Sequence, residues 1–106
     1  MLRKTPQDAL LFEFGCYYIA DEFPWQGPFQ TWARDSAERL ANLVEKEEVA
    51  ALVSLLLEMA GNRRHPMVFA LEQETHIDWS EDDRFWQVFA DLVTLIAAAL
   101  SSTRTS

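Results

Sequence analysis

Few residues in this chain could do chemistry. His65 and His76 are its only histidines, and Cys16 is its only cysteine. Glu72 and His76 stand at i, i+4, so on one helix they would share a face and could hold a metal between them. A catalytic zinc needs three such ligands in fixed geometry, and neither HExxH nor CxxC spacing occurs. Both histidines are therefore read as surface ion-pair or loop residues. A nucleophilic Cys16 would need a base beside it. It falls between Phe12 and Ile19 on an apolar stripe, which predicts a packed core thiol. Paired carboxylates are plentiful, but they gather at helix starts and turns, where they cap and solvate rather than transfer protons. Gly15, Gly27 and Gly61 are scattered and form no phosphate-cradling loop. The expectation is no catalytic residue, no metal site, no cofactor and no enzymatic activity.

Charge and aromatic placement say more. Seventeen acids face nine bases, a formal charge of −8. Such a balance repels nucleic acid and anionic membranes and favours a protein partner with a basic surface. Six acids, Glu72, Glu74, Asp78, Glu81, Asp82 and Asp83, lie close together with no Lys or Arg between Glu72 and Asp83. They form the first candidate binding surface; its competing reading is a solvated face beside a favourable helix start. A second cluster, Glu45, Glu47 and Glu48, encloses Lys46. The other candidate is the loop Phe23-Pro24-Trp25, whose rings either fold onto the core or plug a partner's pocket.

The elements that must position these residues are helices. Ser80 to Leu100 organises the chain: Ser80 is placed as N-cap with Asp83 at N3, and Phe85, Val88, Phe89, Leu92, Val93, Ile96, Ala99 and Leu100 recur on one broad face. Thr5-Pro6-Gln7-Asp8 starts a helix running to about Ala20. Its two stripes, Leu10-Leu11-Phe14-Tyr17-Tyr18 and Phe12-Cys16-Ile19, predict a central, sandwiched position, and Gly15 inside it predicts close packing. Pro28 opens a second helix, carrying Phe29, Trp32, Ala33, Ser36, Leu40, Leu43 and Val44. The apolar pattern breaks near Lys46, where two readings fit: one long helix that swaps neighbours at its middle or, preferred, a turn into a third helix with Glu47 and Glu48 in its first turn. That helix ends at Gly61-Asn62. Pro66 opens a short fourth helix ending near Thr75, with a strand over the same run as the alternative. His76 to Trp79 is a link, and residues 101–106 are a frayed tail.

Together these predict a single all-α domain over residues 1–106, a bundle of about five helices, with a monomer favoured. The expected core is Leu10, Phe14, Tyr17, Trp32, Leu40, Leu52, Leu56, Phe85, Phe89, Leu92 and Ile96. The longest apolar run, Leu92 to Leu100, is about half a membrane span. One cysteine excludes an internal disulfide and suits a cytoplasmic setting.

Taken whole, in its size, its acidity (ETHIDWSEDD and EKEE in particular), its helical reading and its lack of catalytic groups, the chain resembles the small phage-encoded anti-CRISPR proteins. The likeness is greatest to helical members that act on type I surveillance complexes. It spans the chain and rests on no single motif. It implies no enzyme activity, a Cas protein in the host-cell cytoplasm as target (type I-E preferred), and blockage of a surface that binds or recruits DNA. Two other readings stay open: an immunity protein that neutralises a bacterial toxin, and an adaptor or regulatory subunit that binds through Phe23 and Trp25.

Overall fold

Local capping chemistry sets where most of the helices begin, and the core decides how they turn. A computed structural model of the chain describes residues 3–18 and 27–105. Phe23 and Trp25 lie outside the described residues. Among the described residues five α-helices follow one another: α1 (Pro6–Tyr17), α2 (Gln30–Leu43), α3 (Val49–Ala60), α4 (Pro66–Thr75) and α5 (Asp83–Thr105), with one 3₁₀ turn at Lys46–Glu48 ahead of α3. There is no strand among the described residues, so the helical reading of α4 holds. The radius of gyration is 12.7 Å, against about 13 Å expected for a compact chain of this length.

α1 starts as its sequence requires. Thr5 Oγ1 accepts the Asp8 amide at 3.1 Å and Pro6 sits in the first turn. α4 is capped by His65, whose Nδ1 accepts the Met67 amide at 3.0 Å, again with proline following. α2 begins two residues later than Pro28. The Gly27–Pro28 peptide is cis, Gly27 turns the chain at φ +64°, and the first helical bond runs from the Ala33 amide to the Phe29 carbonyl at 2.8 Å. The break near Lys46 is present: Val44 and Glu45 are extended and separate α2 from α3. The Lys4 amide and the Arg3 side chain take up the Leu43 and Asn42 carbonyls at the end of α2.

The expected start of α5 needs correction. Ser80 is not its N-cap. The Ser80 amide and hydroxyl both donate to Glu72 Oε2, at 2.9 and 2.8 Å. Asp82 caps instead: its Oδ1 accepts the Arg84 amide at 2.8 Å, and its carbonyl accepts the Trp86 amide at 2.8 Å. At the other end the helix continues to Thr105, past the Leu100 boundary expected from the polar tail.

α5 is the hub, packed most extensively on α3 and next on α2, while α1 rests chiefly on α4. Phe89, Leu92, Val93, Ile96 and Leu100 are fully buried along it. By length and composition α5 is also long and apolar enough to cross a membrane, which the Leu92–Leu100 run alone did not predict. The buried stripe meets protein in this fold.

Other core expectations divide. Leu10, Phe14, Leu40, Leu52 and Leu56 are fully buried, and Trp32 is partly so. Tyr17 and Phe85 are each 38% exposed. Trp79 and Trp86 both pack on Phe89, with centroids 5.4 Å away, and this leaves Phe85 at the rim. α1 is packed on one face rather than sandwiched: Ala9, Leu10, Glu13 and Phe14 point inward, while Phe12 and Cys16 are exposed. Cys16 is thus not a core thiol. The face is turned by Glu13, which is wholly buried and ion-paired to Arg39 of α2. The close packing expected at Gly15 is present, since a Cβ there would stand 3.3 Å from Glu74 Cγ.

Two stability outcomes follow. Leu92→Ala should cost about 2–5 kcal/mol, read by urea denaturation; a loss below about half a kcal/mol would mean the site is not core. Arg39→Met should cost roughly 3 kcal/mol, the low end for breaking a buried pair because Arg39 is one-third exposed. Adding Glu13→Leu should recover most of that loss. A double variant less stable than Arg39→Met would show that the carboxylate is not the source of the penalty.

Candidate functional site

The acids between Glu72 and Asp83 divide into two sets once their partners are seen. Glu72 is half-buried, and its Oε2 holds the Ser80 amide and hydroxyl, fixing the α4–α5 connection. Asp82 caps α5 and also approaches Arg84 Nε at 3.6 Å. The Arg84 amide, first among the causes, holds the Asp82 carboxyl below the usual aspartate range. Asp83 pairs with Arg63 Nη1 at 2.9 Å, although its side chain is 92% exposed. These three acids belong to the fold before they belong to any partner.

Glu74, Asp78 and Glu81 are exposed, and their carboxylates make no ion pair or hydrogen bond among the described residues. The structure does not bring all three together. Glu74 lies against Gly15 of α1. Asp78 and Glu81 instead line a groove of about 440 Å³ with Arg63, Arg64, His65, Phe69, Glu72, Gln73 and Ser80. Uninterrupted by base in sequence, the acidic stretch meets the Arg63-Arg64-His65 turn in space.

The groove rests on a rigid base. Thr75 Oγ1 donates to the Leu71 carbonyl at 2.8 Å and accepts from the Ile77 amide at 3.3 Å and Trp79 Nε1 at 3.2 Å. Ile77 and Trp79 are buried, so the stretch read as a link is part of the core. His76 closes α4 in the left-handed region, at φ 59°. Glu72 Oε2 is taken up by the Ser80 amide and hydroxyl. Among the described residues no three His, Cys, Asp or Glu side chains are grouped to hold an ion.

Phe69 was not singled out from the sequence. It is 64% exposed, more than any other large apolar side chain among the described residues. The signal was available: α4 buries Met67, Val68, Leu71 and Thr75, and Phe69 falls on the opposite side of that wheel, beside Gln73. Phe23 and Trp25, the alternative anchor, lie outside the described residues. Comparison with protein-family models, curated proteins and solved structures gives no match.

The Asp82 geometry predicts a pH response. Its folded carboxyl titrates below its unfolded value, so its charge stabilises the fold above the ordinary aspartate range and ceases to do so as pH falls through the folded value. Asp82→Asn keeps a capping side chain but removes that charge. The stability gap between wild type and Asp82→Asn should therefore close on acidification. Urea midpoints at neutral and acidic pH check this; a gap that stays constant would remove the charge from the account.

Proposed function

We propose that this chain is a non-enzymatic inhibitor that occupies a basic surface on nucleic-acid-handling machinery. A type I CRISPR surveillance complex or its nuclease is the target class. The observation that carries this reading is the trio Glu74, Asp78 and Glu81. They are exposed carboxylates without ion pairs among the described residues, Asp78 and Glu81 in the α4–α5 connection and Glu74 beside α1, on a chain of net charge −8. Their supports, Glu72 on Ser80 and Thr75 beneath Trp79, are internal to the fold, so the acids are presented without having to order a loop on binding. Lys and Arg that normally hold phosphates would meet carboxylates instead. Inhibitor and DNA would then compete, with an association rate that falls as salt rises.

The deciding measurement uses purified type I-E surveillance complex, DNA target and the triple reversal Glu74→Lys/Asp78→Lys/Glu81→Lys. Exposed side chains of this kind contribute little to stability, so the variant should fold. Wild type should compete with DNA, and the variant should bind at least tenfold more weakly and lose most of its salt dependence. Full-strength binding by a folded triple variant would rule out these acids as the handle.

A further inference from the structure

We propose that the groove beside Phe69 is a receptor for an arginine side chain presented by the partner protein. This rests on the reading above that the partner offers a basic surface, and it names which basic side chain the groove selects. The starting observation is the Phe69 ring. It stands 64% exposed on the outer face of α4 and makes no stacking or cation–π contact among the described residues. The ring faces water where it lines a groove. The second observation is charge. Asp78 and Glu81 line the same groove, and neither carboxylate has a cationic partner among the described residues.

An aromatic face next to free carboxylates suits a guanidinium better than an ammonium. A guanidinium is planar and weakly hydrated, so it can lie flat on a ring while its N–H fork points outward, in its own plane parallel to the ring, to carboxylate oxygens. An ammonium keeps its water more tightly and gains less from the ring. The chain already uses this chemistry within its own fold: Arg39 lies 3.9 Å from the Tyr17 ring centroid while its donors hold Glu13. Arg63 likewise sits over Trp86 at 5.3 Å while pairing with Asp83. Phe69 with Asp78 and Glu81 repeats the ring and the acids without the arginine.

The groove is lined by bases as well as acids. Arg63 is committed to Asp83 and Trp86, and His65 Nδ1 to the Met67 amide. Arg64 also lines the groove, so an incoming cation is favoured at the Asp78 and Glu81 carboxylates and disfavoured beside Arg64.

The test is a titration of ¹⁵N-labelled protein with acetyl-Gly-Arg-Gly-amide, beside the same peptide carrying lysine or citrulline. The arginine peptide should give saturable amide shifts centred on Phe69, Gln73, Asp78 and Glu81. The lysine peptide should bind several-fold more weakly, and the citrulline peptide should leave those amides unmoved. Phe69→Ala should reduce arginine binding to the lysine level, and Asp78→Asn/Glu81→Gln should abolish both. Unchanged spectra away from the groove establish that the variants are folded. Equal shifts from lysine and arginine that persist in Phe69→Ala would overturn the proposal, as would no saturable shift at the groove. No target complex is needed, so a flat titration removes the arginine receptor alone. Retained binding by the triple reversal removes the acids as the handle on the target.

Discussion

Glu13 lies wholly inside the protein, and a carboxylate removed from water costs several kcal/mol unless its charge is met. Arg39 meets it. Its Nε donates to both oxygens at 3.0 and 2.9 Å, and its Nη2 to Oε2 at 2.7 Å. The pair joins α1 to α2, which are adjacent in the chain but held by side chains far apart in sequence. Ser36 Oγ accepts from Arg39 and shares a hydrogen bond with the buried Tyr18 hydroxyl. Burial, the largest influence, pushes the Tyr18 phenol well above its usual range, so it stays neutral inside the network. Tyr17 lies over the Arg39 guanidinium from outside. One ion pair therefore fixes the rotation of α1: with Glu13 inward, Ala9, Leu10 and Phe14 follow it, and Phe12 and Cys16 are left on the surface.

A second polar assembly does the same for the end of the molecule where the candidate surface lies. Thr75 uses one hydroxyl to satisfy a helix carbonyl, a loop amide and the Trp79 indole. Glu72 reaches eight residues ahead to hold Ser80. Trp79 packs at a tilt against Phe89 of the hub, which ties the α4–α5 connection to the core. Several acids in one stretch thus do different work: some build the corner and some are displayed by it. Charge on the building set is partly answered by Arg63 and Arg84, so the outward field comes mainly from the others.

This division bears on how an acidic protein of this kind recognises anything. Exposed charge alone gives attraction without register. A ring fixed at the edge of a groove adds direction, because stacking requires a flat partner at a set distance. The outer face of α4 supplies that ring at Phe69. It is presented by a short helix whose inner face, Met67, Val68 and Leu71, is locked in the core.

Much of this was written in the sequence, for local reasons. Thr5-Pro6 and Pro66 mark helix starts because capping and proline geometry act over one turn, and the buried stripe from Phe89 to Leu100 is set by a period of 3.6 residues. The break at Lys46 was legible because a straight helix would have turned its apolar residues to opposite sides. The all-α class follows from these features alone. What the sequence could not fix was every choice made between distant side chains. Ser80 looks like a cap until Glu72 takes its donors, and Asp82 then inherits the task. Cys16 looks buried until Glu13 and Arg39 turn the helix. Trp79 looks like linker until Thr75 and Phe89 receive it. The acidic run looks continuous until Arg63 and Arg84 reach into it. Capping and periodicity are decided within a turn or two of chain, whereas burial of a charge depends on whether its counter-charge arrives from another helix. Only the tertiary structure could decide that.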